Sequence, residues 1–230
     1  TKEKRHSIDT MLEVNRFPKK ELDQLKLVYP STNNSQLINS FREMRTRLFT
    51  NSKSKNYACL ISSVVPEGGA SYVAKNLAAT IALDPTKTAL LIDCNLYSPS
   101  VEQLIIGKPE NGITDYLYNK NISIKDIIYA SGIPRLRIIP VGNNREGGAE
   151  HFSNPLMRAF IGDVKKSYPD RFIIVIAPPD NSYAAEAFIL ADLCDFAVLI
   201  VPYGKVTKAQ ILNSIDAIRE EKLVGIVFNN

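Results

Sequence analysis

Residues 57–80 read YACLISSVVPEGGASYVAKNLAAT, an apolar, β-branched run broken at Pro66-Glu67-Gly68-Gly69 and resumed at once with helical spacing. The order is a strand, a glycine turn and a helix. Such a turn can cradle an anion, because glycines let the backbone approach closely and the N–H groups at a helix start point toward negative charge. A tight strand-to-helix connection with no ligand reads the same way. Measured against the phosphate-binding pattern G-x-x-x-x-G-K-[ST] and aligned on Gly69 and Ser71, the loop has Val64 at the first small residue and Ala70 at the lysine. The loop has the shape of a phosphate cradle and lacks its charge.

Composition bounds what surrounds this stretch. The 230 residues, 45% apolar and 23% charged, suit one globular α/β domain with a full core and exclude a disordered chain. A net charge of +4 is mild, and no dense Lys/Arg block with interleaved aromatics occurs, so no nucleic-acid partner is expected. Basic TKEKRH at the start is a solvated tail or a contact for acidic lipid heads. Cys59, Cys94 and Cys194 stand apart in apolar contexts without CxxC spacing, which reads as core thiols in a reducing, cytoplasmic compartment. His6 and His151 lack metal-ligand company, so no metal site is expected. No apolar run approaches the ~20 residues of a membrane helix, and no signal peptide is visible. With no initial methionine and an end inside a strand-like run, the sequence reads as the soluble piece of something longer.

Outward from the loop, residues 1–34 form an extended arm with at most short helices, and residues 35–230 form the domain. Leu37, Phe41, Met44 and Leu48 place one apolar stripe on a helix with Ser35 as N-cap, leaving Arg42, Arg45 and Arg47 off it. After the loop, 71–83 is helical, with Val73, Leu77 and Ile81 inward and small Ala74 and Ala78 where it sits close to a sheet. Strand 88–93 is apolar on both faces, as in a parallel sheet. Helical segments at 113–118 and 124–129, strand 136–141 and loop 142–153 follow. Asn154 caps a helix with Pro155 at its first position. Strand 172–176, helix 184–193, strand 196–201, helix 207–221 and strand 224–228 complete the chain. This alternation predicts a doubly wound, mostly parallel α/β sheet with helices on both faces.

In such a fold ligands sit beyond the carboxyl ends of the strands. Those positions carry Pro66 to Ser71, Asp93-Cys94-Asn95, Ala177-Pro178-Pro179, Pro202-Tyr203-Gly204 and Asn229. Here the chain, from about residue 39 to 230, resembles the cytoplasmic ATPase domain of the bacterial tyrosine kinases of capsule and exopolysaccharide biosynthesis, P-loop relatives of septum-positioning and partitioning ATPases. The family's helix motif ExxRxxR appears as Asn39, Arg42 and Arg45, its loop PGEGKS as Pro66 to Ser71, and its helix ending NLA as Asn76-Leu77-Ala78. LLIDxDxRxPS matches at Leu90, Leu91, Ile92, Asp93, Pro99 and Ser100, but Asn95 stands for the second Asp and Tyr97 for the Arg. The acidic run IIDTPP becomes Val175-Ile176-Ala177-Pro178-Pro179, with Ile176 for the Asp. GVVLN appears as Gly225-Ile226-Val227-Phe228-Asn229.

The resemblance implies a P-loop NTPase-like fold and a nucleotide or anion site remnant at Pro66, Gly68, Gly69, Ser71, Asp93 and Asn229, with Asn229 near an adenine edge. It implies a subunit contact through Asn39, Arg42 and Arg45. The departures fall on the chemistry. Phosphoryl transfer needs a lysine on the phosphates and Mg²⁺ held by the loop hydroxyl and acidic residues, and Ala70, Asn95 and Ile176 supply neither. Each lost charge-assisted hydrogen bond costs about 1.5–3 kcal/mol, and each lost electrostatic stabiliser about 10²–10³ in turnover. Lys75 is expected to face solvent rather than substitute for the missing lysine. Glu67, at the loop's lip, either repels phosphate or is a plain turn residue. Asp93 is a ligand remnant or a strand-end acceptor of backbone N–H groups.

The expectation is therefore a catalytically degenerate, kinase-like interaction module in exopolysaccharide or capsule assembly. Its partner would be a membrane polysaccharide co-polymerase or another synthesis protein, and its place cytoplasmic, peripheral to the inner membrane through that partner or a missing segment. No cofactor is expected beyond weak ATP, ADP or phosphate binding. Homo-oligomerisation should be weak, because Asn39 cannot form the charge-assisted pair of the acidic residue it replaces. The alternative is an active ATP-dependent tyrosine autokinase, with Mg²⁺, using a deviant loop.

Overall fold

The computed structural model describes residues 15–32, 34–53, 55–180, 182 and 184–230. Seven strands form one sheet in the order β3-β4-β2-β5-β1-β6-β7: β1 Ala58–Ser63, β2 Thr88–Asp93, β3 Tyr129–Ala130, β4 Leu136–Ile139, β5 Arg171–Ile176, β6 Phe196–Pro202 and β7 Leu223–Asn229. All pairings are parallel except the short β3 against β4. β1, β2 and β5 are buried along their whole length, which is why their sequences are apolar on both faces.

Two apolar clusters lie on the two faces of this sheet. On one, α3 (Ala70–Ala82) packs through Val73, Ala74, Leu77, Ala78 and Ile81, and α2 (Ser35–Asn51) packs outside it through Ile38, Phe41 and Leu48. On the other, α4 (Ile113–Tyr118), α6 (Pro155–Ser167), α7 (Ala184–Leu193) and α8 (Lys208–Ala217) contribute Leu117, Phe160, Leu190 and Ile215. The small α1 (Lys19–Gln24) and α5 (Gly148–Ser153) complete the helices. Helices above and below a parallel sheet make the three-layer, doubly wound architecture that alternating strands and helices predict.

Several local expectations are corrected. Asn34, not Ser35, caps α2: its Oδ1 accepts Leu37 N–H at 2.9 Å. Residues 124–129 hold only a 3-10 turn, Ile124–Asp126, and Tyr129 starts β3. The expected loop 142–153 ends in α5, which begins after Gly147 in the left-handed region. The expected helix 207–221 stops at Ala217 and a 3-10 turn, Glu220–Lys222, follows. The described part of the arm is built into the fold. Leu27 and Val28 are buried, Val28 N–H donates to Asn76 Oδ1 at 2.7 Å, and Asn76 Nδ2 donates to Lys26 O at 3.0 Å. His6 and the TKEKRH stretch lie outside the described residues.

Candidate functional site

The loop between β1 and α3 lies at the carboxyl edge of the sheet, where the strand order places a ligand crevice. Ser63 Oγ donates to Val65 O at 2.8 Å, and Gly68 N–H donates to the same carbonyl at 3.2 Å, which folds the loop tightly over the strand end. A β-carbon on Gly68 would collide with Ser63 Oγ. Gly69 has φ +103°, and its β-carbon would collide with Asn229 Nδ2, so both positions require glycine. Pro66 and Glu67 are exposed at the lip, and Glu67 itself has positive φ (56°). Ala70 opens α3 with its methyl in the core cluster. Ser71 is half-buried and lines a cleft of ≈ 500 Å³ together with Lys75, Asn95, Tyr97, Ala177 and Pro179.

Of the positions expected to be acidic, only Asn95 lines the cleft, beside the lip residue Glu67. Asp93, fully buried at the end of β2, accepts Asn95 N–H at 3.0 Å, Ser100 N–H at 2.8 Å and Ser100 Oγ–H at 3.3 Å. Burial pushes its carboxyl up to about 6, against the opposing pull of these bonds and of the Lys75 charge. Asn95 Oδ1 accepts Ser98 N–H at 3.2 Å. Ile176 has its side chain in the core among Ile61, Ile174 and Ile200, and the residue that β5 sends to the cleft is Ala177. Tyr97, which lines the cleft, donates its Oη–H to Glu186 Oε1 at 2.7 Å.

Lys75 is a correction. Instead of facing solvent it lines the cleft, half-buried, with Nζ–H donating to Ser100 O at a long 3.4 Å. Loss of hydration lowers its pKa, and the Asp93 charge opposes that. Its spacing of four from Ser71 puts both on one helix face, the signal in the sequence that could have found it. Tyr97 with Glu186 was also unread, because two residues 89 apart meet only once the sheet is assembled. Asn229, expected near a base edge, turns its amide onto the loop, with Nδ2–H donating to Gly68 O at 3.1 Å.

On α2, Arg42 Nη1–H donates to Asn39 Oδ1 at 3.4 Å, and both face solvent. Arg45 folds back instead: Nη1–H donates to Thr80 O at 2.9 Å, placing a cation on the last turn of α3, where the helix dipole favours it. Arg135 does the same on Ala82 O at 2.7 Å. Of the three residues, Asn39 and Arg42 are presented outward.

Mg²⁺ and a nucleoside triphosphate would need a cation on the phosphates and oxygen donors on the metal. Ala70 is a methyl, the Asn95 oxygen is engaged, Ile176 is alkyl, and all three Asp93 bonds point into its own strand-end loop. The three motif positions offer no free oxygen donor for Mg²⁺, and the cation in the cleft is Lys75. Among the described residues no group of three or more His, Cys, Asp or Glu could hold a metal ion.

A glycine cradle closing the carboxyl end of an interior parallel strand, with a helix starting on it, defines the P-loop ATPase-like fold. Known proteins agree. The chain is 27% identical over 221 residues to the tyrosine-protein kinase YwqD of Bacillus subtilis, covering 95% of this chain and 90% of that one. It is 26% identical over 187 residues to the succinoglycan biosynthesis transport protein ExoP of Rhizobium meliloti, covering 76% of this chain but 22% of ExoP. Its structure superimposes on the kinase domain of the Escherichia coli tyrosine kinase ETK with a TM-score of 0.79 at 20% identity, over 95% of this chain and 82% of that one. No protein-family model matches. In sequence and in fold the chain is a relative of the bacterial tyrosine kinases.

Proposed function

We propose that this protein is a P-loop relative of the bacterial tyrosine kinases that has lost phosphoryl transfer and serves as an interaction module in capsule or exopolysaccharide assembly. The observation that carries this reading lies at the positions expected to be acidic. Asp93, the one acidic residue kept from the resembled motifs, is fully buried, bonded to its own loop and not part of the cleft's lining, and the other two positions offer an engaged amide and a core isoleucine. Positioning and charge neutralisation make up nearly all of phosphoryl-transfer catalysis, so a cradle without lysine or metal support can at most hold an anion on backbone N–H groups. The relatives' names supply the pathway, and a membrane polysaccharide co-polymerase or another synthesis protein is the partner proposed from it.

One observation favours a second reading, an active tyrosine autokinase: Lys75 brings an ammonium into the cleft from one turn beyond Ser71. Incubation with MgATP followed by phosphotyrosine detection separates the two. The first reading expects no phosphotyrosine with wild-type protein. Labelling that Lys75→Met abolishes would establish the second.

A further inference from the structure

The amino ends of the strands, at the edge of the sheet opposite the cleft, gather positive charge. Four chain segments meet there because β4, β2, β5 and β1 are parallel neighbours. Lys53 and Lys55 lead into β1 and Lys87 into β2. Arg135 and Arg137 flank the start of β4, and Lys165, Lys166 and Arg171 lead into β5. Against these eight cations stand Asp84, Asp170 and Asp195, on a chain whose whole net charge is +4. Beside β6 and β7 the signs balance, with Arg219 in ion pairs with Asp192 and Glu221.

Little of this charge is neutralised within the molecule. Lys165 Nζ pairs with Asp195 at 2.6 Å. Lys87 Nζ lies instead over the Phe49 and Phe172 rings, at 5.9 and 5.5 Å, and the Arg171 guanidinium rests on the Tyr168 ring at 3.8 Å. Arg135 is held by the Ala82 carbonyl, and Arg137 Nη1 is sealed from solvent with no hydrogen-bond partner. Among the described residues, Lys53, Lys55 and Lys166 are exposed and make no ion pair. Like charges are also kept together: burial and then the Arg16 charge lower the Arg135 pKa, and the Arg137 charge adds to the effect of burial on Arg171. Rings and carbonyls fix these cations in place without neutralising them, and an anionic partner would relieve their mutual repulsion.

We propose that this edge seats the protein on an anionic membrane surface, with Lys53, Lys55 and Lys166 taking lipid headgroup phosphates and the arginines behind them adding to the field. Four adjacent strands spread the charge over about 15 Å, which suits a diffuse layer of phosphates. A single-stranded nucleic acid would need open aromatic faces between the cations, and here Tyr57 and Phe172 are buried while Phe49 and Tyr168 carry a cation each. A duplex groove takes a helix or a ribbon, whereas these cations sit on and beside the turns that enter strands. In this orientation the cleft, at the other end of the strands, faces away from the bilayer. The proposal holds whether or not the cleft turns over ATP.

Cosedimentation of the full chain with phosphatidylcholine vesicles containing about a quarter phosphatidylglycerol tests it. Binding is expected, absent from pure phosphatidylcholine and falling steeply between about 50 and about 300 mM salt. Lys55→Gln combined with Lys166→Gln should weaken it about thirtyfold, about fivefold for each charge removed. The same loss of charge at the opposite edge, Lys108→Gln with Lys205→Gln, should leave it within about twofold, because those exposed lysines lie beyond the carboxyl ends of the strands. No binding to the anionic vesicles would overturn the proposal, as would salt-independent binding or an equal loss with either pair. Tighter binding to a DNA duplex, abolished by the first pair alone, would assign the edge to nucleic acid instead and overturn it too. The salt dependence is read on wild-type protein and stands even where a variant folds poorly.

Discussion

Asp93 is fully buried at the end of β2, and its oxygens serve Asn95 and Ser100. Its buried carboxyl titrates near 6 against 3.8 for the free group. Between those values the unfolded chain releases this proton before the folded one does, so stability falls as pH rises through that window. Above it, a cost of about 3 kcal/mol persists. Asp93→Asn should remove this component: urea unfolding of the variant across pH 4 to 7 should show a flatter pH dependence than wild type, and parallel curves would contradict the assignment. Ala70→Lys supplies the cation without the metal side, so phosphate and nucleotide affinity should improve modestly while turnover stays absent. Hydrolysis restored by that one change would show that the carboxylates matter less than the lysine. Ala70, Asn95 and Ile176 were legible in the sequence as departures from the motifs it resembles. Lys75 was not, because whether a helical lysine turns toward a cleft depends on the packing of the neighbouring loop, here Ser100.

At the scale of elements, the loop is coupled to β7 at Asn229. Gly69 has a conformation that side chains rarely adopt, and a β-carbon there would strike Asn229. Gly69→Ala should therefore cost about 1–3 kcal/mol of unfolding free energy. Combining it with Asn229→Ala should return only part of that, since the clash is relieved and the backbone strain is not. Full recovery in a double-mutant cycle would mean that the left-handed backbone costs nothing. The strand, glycine turn and helix of 57–80 were plain in the sequence because their periodicity changes sharply at Pro66. β3 and α5 were not. The two-residue β3 exists through pairing with β4, and α5 starts at Gly148 behind its cap Gly147, where a glycine pair reads as loop. The shift of the α2 cap from Ser35 to Asn34 is of the same kind, since both side chains can accept an N–H and only geometry selects one.

The whole molecule follows the sequence closely in architecture, because strands buried on both faces and amphipathic helices at regular spacing leave few topologies. The described arm departs from the expected extended segment: Asn76, read only as part of a helix ending, holds its backbone, and Leu27 and Val28 join the core. The most direct measurement is titration calorimetry with MgATP and MgADP, paired with a phosphate-release assay on the same protein. The proposed loss of phosphoryl transfer predicts binding no tighter than the high micromolar range and release indistinguishable from buffer. Sub-micromolar affinity, or phosphate release above the buffer control, would contradict it.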